Sequence, residues 1–142
     1  MRIVVLILVI MNLISCATIK PYTESGMMHS NKEVNTLAKE LNLQANKCWA
    51  REWGWFGDGV EVDTRINLRG FIIEARRYAP DIGLGRKPFA EIVINEEDSS
   101  SVVQVIENGF NPVSDDSIIP EVEQWLLGDL SCITDKSRKR VF

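Results

Sequence analysis

"VEVDTRINLRGFIIEAR", residues 60–76, decides how the folded part of this chain is built. In its first half, Val60, Val62, Thr64 and Ile66 alternate with Glu61, Asp63, Arg65 and Asn67, the period-2 pattern of a half-buried strand. At Gly70 the phase changes. Phe71, Ile73 and Ala75 become the apolar set, and Glu74 and Arg76 stand opposite. One strand with a bulge at Gly70 would be far longer than strands usually run, so the change of phase is read as a hairpin turning near residues 67–70.

Working outward, "YAPDIGLGRKP" (78–88) reads as a loop by its prolines and glycines. Residues 89–96 follow as a third strand with Ala90, Ile92 and Ile94 on one face. "EEDSS" turns the chain, and 102–107 form a fourth strand with Val103 and Val105 inward. On the N-terminal side, Ser30 and Glu33 have the spacing of a capping box. Behind them Val34, Leu37, Ala38, Leu41, Ala45 and Cys48 recur at helical spacing, an amphipathic helix of roughly five turns ending before Gly54. On the C-terminal side, 108–117 connects to a last helix capped by Asp116 or Ser117, with Pro120 in its first turn and Ile118, Val122, Trp125, Leu126 and Cys132 inward. The expectation is an α+β two-layer sandwich: N-terminal helix, four-stranded antiparallel meander, C-terminal helix, both helices on one sheet face.

The 142 residues suffice for one domain with a core, and the net charge of −4 gives no electrostatic footprint for nucleic acid. The first sixteen residues stand apart. Met1-Arg2 is followed by unbroken hydrocarbon through Met11, then Asn12 and Leu13-Ile14-Ser15-Cys16. A membrane-spanning helix needs about 20 apolar residues, so this run is too short, and it has no polar face to make it a core helix. It has the order of a secretory signal. Its last four residues resemble the lipobox of bacterial lipoproteins: an aliphatic residue, an intervening residue, a small residue, then cysteine. The resemblance covers residues 1–16. It implies cleavage before Cys16 and diacylglyceryl and acyl (palmitate-type) chains on that residue, because a thiol is the nucleophile able to form a stable thioether. Two or three chains hold a protein at a bilayer where one holds marginally. With Cys16 so used, Cys48 and Cys132 remain, an even number for an oxidising compartment, and a disulfide between them is expected.

The domain division expected is a signal peptide over 1–15, a lipidated flexible tether over 16–29 with a reach of about 20 Å, one α+β domain over 30–135, and a basic tail over 136–142. His29, the chain's single histidine, falls in the tether. A serine or cysteine triad therefore has no base in the domain. Two distant cysteines and one histidine lack zinc-ligand spacing. "GLGRKP" (83–88) lacks the strand–loop–helix context of a phosphate loop. Glu96-Glu97-Asp98 and Asp115-Asp116 do not fit a calcium loop. Glu61 and Asp63, about 7 Å apart by strand rise, have the separation of a glycosidase pair but sit beside Arg65 on a strand face. No cofactor, metal or catalytic group is expected.

Two features are candidates for binding. "CWAREWGWFG" (48–57) holds Trp49, Trp53, Trp55 and Phe56, which either close the core or form an aromatic platform. Arg65, Arg69, Arg76 and Arg77 come from adjacent strands; with the helices on the other face, several of them and their acidic neighbours decorate the open sheet face, and cross-strand pairs such as Glu61 with Arg76 are the structural alternative. The expected function is a non-catalytic, lipid-anchored envelope protein facing the periplasm. In a two-membrane host it would sit at the outer membrane, since Ala17 is not the aspartate associated with inner-membrane retention. It would bind an envelope protein as an accessory or assembly factor. A membrane-tethered inhibitor or immunity-type protein is the second reading, and a small hydrolase the third.

Overall fold

The computed structural model describes residues 22–53, 58–78, 88–109, 111–113 and 116–133. The expected signal peptide over 1–15, Cys16, Trp55, Phe56, residues 79–87 and the expected tail over 136–142 lie outside the described residues. In chain order the elements are β1 (Thr23–Glu24), β2 (Met28–Ser30), α1 (Val34–Trp49), β3 (Arg51–Trp53), β4 (Asp58–Asn67), β5 (Gly70–Tyr78), β6 (Pro88–Glu97), β7 (Ser100–Glu107) and α2 (Ile119–Leu126).

The sheet corrects the expected architecture. It has seven strands in the order β1-β7-β6-β5-β4-β3, with β2 also on β7, and all pairings are antiparallel. A four-stranded meander with two covering helices does not describe it. The three added strands are two or three residues long, too short for alternation to register in a sequence.

The tether expected over 16–29 gives way to sheet at Thr23. Residues 23–30 run along the outer side of β7, and Ser25 bridges the gap between β1 and β2. Its N–H donates to Val105 C=O at 2.8 Å, and its hydroxyl accepts from Val105 N–H at 2.8 Å. His29, expected in a linker, stands in β2 with Nδ1 3.3 Å from Glu97. Because Ser30 belongs to β2, the capping box does not form. α1 starts at Val34 behind Glu33 with no side-chain cap, and Ser30 Oγ accepts only from Lys32 N–H, at 3.3 Å.

The β4–β5 hairpin turns through Leu68 and Arg69, with Asn67 opposite Gly70. Gly70 is required by its neighbour: a Cβ there would stand 2.1 Å from Ile94 O. The inward residues Ile73, Ala75, Ile92, Ile94, Val103 and Val105 are fully buried. They pack with Leu37, Leu41 and Ala45 of α1 and Val122 and Trp125 of α2 in one core.

The last helix starts behind Ile118, whose N–H donates to Glu107 Oε1 at 2.7 Å. Glu107 Oε2 accepts from Ser117 Oγ at 2.8 Å, and Ser117 Oγ accepts from Ile119 N–H at 3.2 Å. A carboxylate from the end of β7 thus answers the positive end of α2. Among the described residues no helix is long and apolar enough to cross a membrane.

Candidate functional site

The aromatic stretch divides. Trp49 ends α1 on its buried face and has no exposed surface. Its ring lies 5.1 Å from that of Trp125, tilted by 39°, a pairing worth about 0.5–1.5 kcal/mol beyond its area. Its indole N–H donates to Glu121 Oε2 at 2.9 Å. Trp49 therefore closes the core and offers nothing to a partner. Trp53 ends β3, opposite Asp58.

Around Trp49 the C-terminal segment is strapped to α1. Cys48 and Cys132 are joined, with Cα atoms 5.4 Å apart. Gln44 Nε2 donates to Leu130 C=O at 2.6 Å, and Ile133 N–H donates to Glu121 Oε1 at 2.8 Å. Glu121 is buried and lies within 4.8 Å of both sulfurs. The sulfurs bond each other, and each carboxylate oxygen accepts an N–H, so these groups serve the strap.

The four arginines do not share a face. Arg65 and Arg76 lie on the sheet face away from the core, in phase with Glu61, Asp63 and Glu74. Arg69 is in the hairpin turn. Arg77 is opposite Val60 and so belongs to the other phase. The register does set Glu61 opposite Arg76, but the hydrogen-bonded partner of Arg76 is Glu74.

Glu74 organises this open face. It is 3% exposed although no described helix covers it, because two guanidinium groups lie against it. Arg65 Nε donates to Oε1 at 2.6 Å, and Arg76 donates to Oε2. Burial pushes the Glu74 carboxyl up, but the hydrogen bonds and charges of Arg76 and Arg65 together outweigh it and hold the group below the usual glutamate range. The same hydrogen bond raises the Arg76 guanidinium against its own burial, helped by the charges of Glu74, Asp63 and Glu61.

Register also builds a row that sequence spacing did not disclose. Asp63 stands opposite Glu74, Glu74 opposite Glu91, Glu91 opposite Ile106, and Ile106 opposite Glu24. Like charges directly across a sheet repel, and the two arginines relieve this at Glu74. At the β1 end, Glu24 accepts from Tyr22 Oη and from Gln104 Nε2, the latter at 3.2 Å. That hydrogen bond raises the Tyr22 hydroxyl, with smaller contributions from burial and from the charges of Glu24 and Glu91. Asp63, Glu74 and Glu91 are 11 and 17 positions apart in the chain and Glu24 is 67 positions from Glu91, so only strand pairing could bring them into line.

On the opposite face, a cleft of about 140 Å³ opens between α1 and the β4–β5 hairpin, lined by Asn35, Ala38, Lys39, Asn42, Thr64 and Phe71. Glu61 and Asp63 are across the sheet from it. The chain matches no protein-family profile, no curated protein and no solved structure.

Proposed function

We propose that this chain is a lipid-anchored cell-envelope protein whose domain binds an envelope protein without catalysing a reaction. The binding surface is the open sheet face with its carboxylate row and the Arg65–Glu74–Arg76 cluster. The observation that carries the reading is how the three cysteines are used. Cys48 is joined to Cys132, the state expected of a protein kept in an oxidising compartment. The third cysteine, Cys16, closes the lipobox-like Leu13-Ile14-Ser15-Cys16 behind a short apolar leader.

The fold adds a physical consequence. With the sheet starting at Thr23, six residue steps separate Cys16 from Tyr22, at most about 20 Å of extended chain. A lipid on Cys16 therefore keeps the β1 end of the sheet close to the bilayer. The outer membrane is the proposed location in a two-membrane host, from Ala17 following the cysteine. The open face supplies what a protein partner reads: fixed charges on a rigid sheet, with Ile106 between Glu91 and Glu24.

Mass spectrometry of the protein taken from its own membranes tests the anchor. The expected N-terminal peptide begins at acylated Cys16, and Cys16→Ala leaves the protein unprocessed. An intact Met1 with no fatty acid overturns the assignment. For the binding face, Asp63→Lys with Glu91→Lys should abolish co-purification with the envelope partner while the variant stays folded, as read by its circular dichroism; undiminished co-purification removes that face from the proposal.

A further inference from the structure

The sheet ends unevenly on the β4 side. β3 covers only residues 58–60 of β4. From residue 61 to 67, no described strand lies against the outer side of β4. This is a seven-residue sheet edge, the kind of surface that recruits another strand. The hydrogen-bond phase of that edge is known. Glu96 N–H donates to Arg69 C=O at 2.8 Å beside the Gly70–Asn95 pair. Gly70 therefore turns its own peptide groups toward β4, and Asn67 opposite turns its groups toward β5. Alternation then directs the backbone groups of Val62, Thr64 and Ile66 outward.

The side chains along this edge are complementary to themselves. We propose that β4 pairs antiparallel with β4 of a second copy of this chain, about a two-fold axis at Thr64. That register sets Thr64 opposite Thr64, and its outward groups exchange both backbone hydrogen bonds. Val62 falls opposite Ile66 twice, again a hydrogen-bonded pair. On the open face, Asp63 of each copy falls opposite Arg65 of the other. Arg65 spends its Nε on Glu74, but its side chain is 57% exposed, leaving the outer guanidinium nitrogens for the carboxylate across the axis.

Two further observations select this occupant. Ile66 is 83% exposed on the core-side face, where the strand pattern calls for a covered residue, and Val62 of a second copy supplies the cover. Ile66 is also cross-strand from Phe71 and two residues from Thr64, both lining the cleft beside α1. A partner copy would extend the wall of that cleft. An isologous contact of this kind closes at two subunits and joins both sheets, making the two open faces one surface. The pairing needs no lipid, so it stands or falls independently of the anchor.

The test uses the full chain extracted from membranes in detergent, with sedimentation across a concentration series. The unaltered protein is expected to pass from monomer to dimer. Thr64→Pro removes an outward N–H that the monomer does not use, and proline is tolerated on an edge strand. It should leave a monomer at every concentration, with a thermal midpoint equal to that of the unaltered protein at dilutions where that protein is monomeric. Asp63→Arg should weaken the dimer by about tenfold or more, since both cross-axis pairs become repulsive. Asp63→Arg combined with Arg65→Asp should restore it. A wild-type protein monomeric throughout, a Thr64→Pro protein that dimerises as well as the wild type, or a β4 crosslink leading to another protein overturns the proposal.

Discussion

Removing the Cys48–Cys132 bond should cost this domain a large share of its stability without changing its native packing. The bond closes a loop of 84 positions. In the chain-entropy treatment the closure removes 2.1 + 1.5R ln 84, about 15 cal/mol/K, from the unfolded chain, which is about 4.6 kcal/mol at 25 °C. Domains of this size hold on the order of 5–15 kcal/mol in total. The native strap does not depend on the sulfurs alone. Gln44 still reaches Leu130, Glu121 still accepts from Ile133, and Trp125 Nε1 still donates to Ser131 C=O at 3.2 Å. The loss therefore falls on the unfolded state. The assay is urea unfolding of the protein and of Cys48→Ala/Cys132→Ala, followed by tryptophan fluorescence. The native emission spectrum should be the same in both, with the unfolding free energy lower by about 4–5 kcal/mol in the variant. A difference under about 1 kcal/mol would refute the reasoning, as would two free thiols titrated in the denatured, unreduced protein.

Three further outcomes follow from the buried polar groups and the close contact at Gly70. Glu74→Gln should destabilise by about 1–3 kcal/mol, a figure reduced from that of a buried pair because Arg65 is exposed. Glu74 holds its proton less tightly folded than unfolded. The unfolded chain thus binds more protons in the acid range, and stability rises with pH there. The Glu74 contribution is whole above the ordinary glutamate range and is lost as pH falls through the depressed native value, so the acid limb of a stability–pH curve should flatten in the variant. Glu121→Ala leaves the Trp49 indole N–H and the Ile133 N–H without their acceptor and should cost about 2–5 kcal/mol by denaturant unfolding, with a shifted Trp49 emission. Gly70→Ala drives a Cβ against Ile94 O and should cost about 1–3 kcal/mol; an unchanged midpoint would show that the β5–β6 spacing relaxes freely.

Much of the central fold was legible in residues 60–76. Alternation depends on which side of a pleat a residue occupies, and the phase change at Gly70 located the hairpin without reference to distant residues. The helical stripe of α1 was legible for the same reason, and the cysteine pair followed from counting sulfurs once Cys16 was assigned to lipid. The edges were not legible. β1, β2 and β3 exist because β7 and β4 present backbone groups to them, and two or three residues carry no period of their own. Ser30 shows the conflict: its spacing to Glu33 favours a cap, and pairing with Ser101 in the sheet wins.

The candidate site divides along the same line. That Arg65 and Arg76 would face away from the core was visible in their phase. That both would converge on Glu74, and that Asp63, Glu74, Glu91 and Glu24 would fall in one row, depended on register between strands distant in the chain. Taken alone, the chain determined its local periods, its central turns and its sulfur count, because these need only neighbouring residues. The tertiary structure decided which strands meet, which carboxylate is covered by guanidinium groups and which stretch of β4 remains an open edge, because those depend on backbone hydrogen bonds between segments that no local pattern specifies.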